Sequence, residues 1–165
     1  SGGGTTTFLR ADGTFAAPTG AVYRNLVTLA ADVVNSNATA NTLADVTGLS
    51  FSVTAGVTYR FEAMVAYTSA STNTGSRWTI NGPASPTLLS YTSRYTITAT
   101  TQTTNFASAY SIPTTSNASS LAAGNIAIIQ GIIKPSASGT VVIRFASEVS
   151  GSAITAKAGS TLEWW

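Results

Sequence analysis

Six carboxylates are all the acid that this chain of 165 residues holds, and it contains neither histidine nor cysteine. Any general acid–base chemistry must therefore fall to Asp12, Asp32, Asp45, Glu62, Glu148 and Glu163. Glycoside hydrolysis needs two carboxyl groups within roughly 5 to 10 Å of each other, and no two of these acids lie close in sequence. Glu62 instead stands two residues from Arg60, and Glu148 four residues from Arg144. On a strand those spacings put each acid on the same face as its arginine, so the expectation is a surface ion pair worth about 0–1 kcal/mol and no catalysis. Serines abound without assistance, since neither a Gly-x-Ser-x-Gly elbow nor a Ser-x-x-Lys pair occurs. Zinc has no imidazole or thiolate to hold it, and no acidic loop has calcium-ligand spacing, so no metal and no cofactor is expected.

Carbohydrate contact asks for less: exposed aromatic faces with amide, hydroxyl and guanidinium groups around them. Trp78 beside Arg77 and Asn81, with Tyr91, Arg94 and Tyr95, supplies those types and forms the candidate glycan surface. The same strand alternation can instead seat Trp78 and Tyr95 inward with Ile80 and Ile97. Trp164 and Trp165 are consecutive, so on a strand one faces in and one out, and the outward ring is a candidate interface anchor.

The elements that must position these groups are strands. Only 8% of residues are charged, against a usual share of about a quarter, while 28 threonines and 21 serines carry the polarity. Threonine is β-branched and suits a pleated surface, and with 44% of residues hydrophobic the chain is expected to be ordered and all-β. The net charge of +2 comes from eight Lys/Arg placed singly, so no basic stripe exists and nucleic acid is not an expected partner. Residues 57–68 alternate, with Val57, Tyr59, Phe61, Ala63, Val65 and Tyr67 on one face. Residues 140–149 do the same, with Val141, Ile143, Phe145, Ser147 and Val149 inward.

Residues 125–134 break the rule, being apolar on both faces until Gln130. This run is far short of the ~20 residues that span a bilayer, so it reads as a buried strand and not an anchor. In a lone sandwich each sheet has a solvent face, hence a two-sided strand implies packing beneath a loop or contact with another subunit, and the subunit contact is the expectation. Ile126, Ile128 and Ile132 are then interface candidates, as is Trp165. Tyr59, Phe61 and Tyr67 join them, although the same aromatic face serves equally as one chain's own core. Further strands are expected over 25–33, 49–53, 77–81, 88–100, 106–112, 154–157 and 161–165, making nine or ten. The Ser/Thr/Asn-rich segments 34–48, 69–76 and 113–124 read as surface loops where recognition would reside.

Ahead of these lies Gly4-Thr5-Thr6-Thr7-Phe8-Leu9-Arg10-Ala11-Asp12-Gly13-Thr14-Phe15-Ala16-Ala17-Pro18. Asp12-Gly13 offers the positive-φ pair of a tight hairpin turn, Phe8 and Phe15 flank it, and Pro18 forbids further pairing. A hairpin this small cannot fold alone and needs neighbours to cover its rings. Residues 1–20 are thus expected to be a Gly-rich leader and 21–165 one domain. No basic-then-apolar secretory start precedes them.

This leader resembles the segment that joins shaft to head in phage tail fibres, with Phe15 where the family form usually carries tryptophan. From Leu26 to Trp165 the chain also resembles the C-terminal domain of phage and prophage tail fibres. The likeness rests on Thr47-Gly48-Leu49-Ser50-Phe51-Ser52-Val53-Thr54-Ala55-Gly56-Val57-Thr58-Tyr59-Arg60-Phe61-Glu62, on Thr74-Gly75-Ser76-Arg77-Trp78 with Asn81-Gly82-Pro83, and on Ile154-Thr155-Ala156-Lys157-Ala158-Gly159-Ser160. What the resemblance implies is a jelly-roll β-sandwich of the tumour-necrosis-factor type, homotrimeric, at a fibre tip. It implies a non-catalytic virion protein that contacts a host surface glycan or protein and other virion proteins. A trimeric capsid decoration or head-fibre protein has the same fold and is the alternative. A polysaccharide depolymerase, with Glu62 and Glu148 to be tested, is the outside reading.

Overall fold

The computed structural model describes residues 8–9, 11, 13–16, 24–112 and 121–165. Its elements are all strands: β1 (Phe8–Leu9), β2 (Phe15–Ala16), β3 (Asn25–Thr28), β4 (Val33–Asn35), β5 (Ala44–Val53), β6 (Tyr59–Ser69), β7 (Ser76–Asn81), β8 (Leu88–Thr96), β9 (Gln102–Ala107), β10 (Asn125–Lys134), β11 (Gly139–Ser147), β12 (Ile154–Ala156) and β13 (Thr161–Trp164). Among the described residues there is no helix. Two antiparallel sheets make the body. The larger has eight strands in the order β3-β13-β6-β10-β8-β9, with β12 joining β6 to β4, and the smaller runs β5-β11-β7.

Alternation explains the packing. Phe61, Ala63, Val65 and Tyr67 of β6 and Ala127, Ile129 and Ile133 of β10 are buried beneath the small sheet, which contributes Phe51, Trp78, Ile80, Ile143 and Phe145 to one core. Rings stitch the two layers. Trp78 lies 5.1 Å from Phe145 within the small sheet and 5.0 Å from Tyr67 across the gap. Phe51 stacks on Trp164 at 5.2 Å. Buried Asn35 is satisfied by donating to the carbonyls of Thr42 and Phe145 at 2.9 Å each. The result is a β-sandwich.

Several sequence expectations shift. The expected strand over 25–33 is two, β3 and β4, because the chain leaves one pairing partner, β13, for another, β12. The expected loop over 34–48 contains the first five residues of β5. Thr47-Gly48 lies within a bulge: pairing with β11 shifts between Val142 and Arg144, and Gly48 takes φ +104, which a side chain would resist. Strand β8 ends at Thr96 rather than at residue 100, and β9 covers 102–107 rather than 106–112. Val57 and Val149 fall outside strands and are exposed. The leader hairpin exists, with Phe8 opposite Ala16 and Leu9 opposite Phe15 and Gly13 at φ +79. Leu9 pairs with Phe15, so the connection between the two strands is longer than a two-residue turn. Asp12 and Pro18 lie outside the described residues, as do 113–120 of the expected third loop.

Candidate functional site

The outer face of the eight-stranded sheet is where unpaired chemistry collects. Register aligns one row of side chains across six strands: Leu26 opposite Glu163, Glu163 opposite Glu62, Glu62 opposite Gln130, Gln130 opposite Thr92, and Thr92 opposite Phe106. Beside it run Arg60, Ile132 and Ser90 on one side and Met64, Ile128 and Arg94 on the other. Trp165 follows β13 and exchanges backbone hydrogen bonds with Arg60, its N–H donating to the Arg60 carbonyl at 3.1 Å and its carbonyl accepting at 3.0 Å. A shallow cleft of about 410 Å³ opens over this patch, lined among others by Arg60, Glu62, Thr92, Phe106, Gln130, Ile132 and Trp165.

Its electrostatics are uneven. Arg24 donates to Glu163 at 3.2 Å, and its guanidinium lies 4.6 Å from the centre of the Trp165 ring. Arg60 is also drawn onto that ring, at 5.0 Å, so it leaves Glu62. Among the described residues Glu62 and Arg60 enter no ion pair, and the buried Thr92 hydroxyl has no partner. A carboxylate, a guanidinium, an amide and a hydroxyl with hydrogen-bonding capacity to spare thus share one shallow depression.

Apolar surface surrounds it. Phe106 is 79% exposed, and Ile132 and Met64 about 40% each. Ile126 and Ile128 are half-buried on the same face.

The expected glycan surface does not assemble. Trp78, Tyr91 and Tyr95 are all inside the core, the Tyr91 hydroxyl accepting from the Thr79 hydroxyl at 2.7 Å and donating to the Ala109 carbonyl at 3.1 Å. Burial pushes the Tyr91 phenol above its ordinary range. Arg77 and Asn81 sit on the outer side of the small sheet, whereas Arg94 sits on the outer side of the large one. Alternation on neighbouring strands sends the rings one way and the arginines the other. Phe61 and Tyr67 likewise belong to the chain's own core and are not free for a partner, while Tyr59 is half-buried at its edge, accepting from the Thr54 N–H at 3.0 Å. Ile126, Ile128, Ile132 and Trp165 do lie together on the outer face.

The expected Arg144–Glu148 pair is replaced. Arg144 lies 2.7 Å from Asp45 and donates to the Ser111 hydroxyl at 2.9 Å, and Glu148 accepts from the Gly75 N–H at 2.8 Å. Glu62 stands on the large sheet, whereas Glu148 lies one residue beyond β11 of the small one. The acid pair that sequence distance concealed is Glu62 with Glu163, brought face to face only by the pairing of β6 with β13.

No family model matches the chain, and no curated protein matches it. Among solved structures it is similar to that of the infectious bursal disease virus Gx strain, with 11% identity over 92% of this chain and a TM-score of 0.24. The chain spans 41% of the length of that viral chain. Likeness at this level carries no inference.

Proposed function

We propose that this chain is a non-catalytic virion module, a homotrimeric jelly roll that ends a tail fibre and presents its loops to a glycan or protein on the host surface. Nested pairing supports the jelly-roll topology: β3 with β13, β5 with β11 and β6 with β10, like a long hairpin wound around a barrel axis. The observation that carries the trimer is the uncovered face of the large sheet. Of the nine large apolar side chains that the described residues expose, Leu26, Val34, Met64, Leu88, Phe106 and Ile132 lie there. A monomer seldom leaves so many large apolar side chains uncovered on one face, and identical copies closing around an axis would cover them. Absence of catalysis is supported by the engagement of Asp32, Asp45, Glu148 and Glu163 in ion pairs or backbone hydrogen bonds.

Equilibrium sedimentation tests the assembly, with three times the 16.8 kDa chain mass expected. Binding of the purified protein to intact host cells tests attachment. Labelling of isolated virus heads without cell binding would favour the decoration alternative.

A further inference from the structure

We infer that Arg60 and Glu62 form an ionic ring between copies of the chain, the Arg60 guanidinium of each protomer pairing with Glu62 of its neighbour. The inference rests on the trimer reading above and names what fixes the register of that trimer. Glu62 sits half-buried near the middle of the apolar face, on the strand that β10 and β13 flank. Its cross-strand neighbours offer no cation: one is Gln130, and the other is Glu163, whose charge Arg24 already answers. Like charges directly opposite each other on adjacent strands are unfavourable, so an acid is retained here at a cost within the single chain. Arg60 is two residues away on the same face, yet it rests on Trp165 with its fork unspent. Gln130 and Thr92 continue the same row and have no side-chain partner among the described residues.

A purely apolar partner laid on this face would strand a carboxylate and a guanidinium away from water. An acidic partner would meet Glu62, and a basic one would meet Arg60 and Arg94. A surface carrying one of each sign, surrounded by the same grease, is complementary to a rotated copy of itself; in the inferred ring position 60 of one protomer meets position 62 of the next. Isoleucine and methionine side chains then supply area, and the charged pair excludes slipped registers.

Charge reversal tests this. R60E, E62R and the double swap R60E/E62R are compared with wild type by equilibrium sedimentation, with circular dichroism to confirm folding; R94A tests the other cation of this face, and R77A, on the outer side of the small sheet, serves as control. Each single reversal is expected to weaken assembly by roughly tenfold or more while the monomer stays folded, the double swap to restore it, and R77A to leave it unchanged. Single reversals that remain as trimeric as wild type, or a double swap as dissociated as the singles, would overturn the ring while leaving the trimer standing. Loss of assembly in R94A with none in R60E would move the pairing to Arg94 and overturn it as well. A monomeric wild type would overturn the trimer and the ring together.

Discussion

Trp78 shows how one side chain is committed by its neighbours. Its ring is fully buried against Phe145 and Tyr67, its indole N–H donates to the Ser76 hydroxyl at 2.9 Å, and its backbone carbonyl accepts from the Ser93 hydroxyl at 2.8 Å. Replacing it with alanine is expected to cost about 3–5 kcal/mol in urea unfolding, because the hole would lie between two packed sheets. S76A strands the indole donor and should cost about 1–3 kcal/mol by the same measurement. Its inward side was legible in the alternation of residues 77–80. That a flanking arginine and asparagine point elsewhere was legible too, yet adjacency in sequence made them look like one surface. Gly131 was not legible at all. A Cβ there would lie 2.4 Å from both the Ser90 carbonyl oxygen and the Tyr91 Cβ, so glycine lets β8 approach β10. G131A is therefore expected to lower the melting temperature although it adds only a methyl group.

At the scale of elements, the connection between β3 and β4 is hooked to the turn between β12 and β13 by Asp32. The Lys157 ammonium and then the Ala158 N–H, at 2.9 Å, donate to its carboxylate and hold its pKa below the ordinary 3.8. A depressed acid stabilises the fold above its unfolded pKa and loses that contribution as pH falls through the folded one. The difference in urea midpoint between wild type and D32N should thus be present at neutral pH and shrink below about pH 4. Both partners are solvent-exposed, so the effect will be small and salt-sensitive. This hook joins residues 125 apart, which no local pattern reveals. Strands β6, β10 and β11 were recognisable because ten or so residues of alternation or unbroken grease outweigh noise. The division of residues 25–35 into two strands was hidden, for it depends on which distant strand each half meets. The two-sidedness of β10 was the informative anomaly: its inner face fills the core and its outer isoleucines stay partly uncovered among the described residues.

Across the whole molecule, hydroxyls rather than charges keep the surface wet. With no histidine, no side chain ordinarily titrates between about pH 5 and 8, so the melting temperature should be nearly flat across that window. A steep dependence in a pH series of thermal melts would reveal an ionisable group acting outside its ordinary range. The sheets are built from distant partners, β3 with β13 and β5 with β11, so folding waits on long loop closures and belongs in the millisecond-to-second range. Stopped-flow refolding followed by tryptophan fluorescence measures it. An all-β class could be read from composition and periodicity. The placing of Glu62 beside Glu163 and of Arg60 on Trp165 could not, because it follows from register between strands that begin 102 residues apart.

Arg24 leans over Trp165 where β3 pairs with β13, at the rim of the apolar face. A bulky group fused after Trp165 would therefore hang over the face proposed to join copies, and is expected to weaken their assembly. Fluorescent reporters are better spliced into the turn around Gly151, which is exposed and remote in register from the Arg60 row.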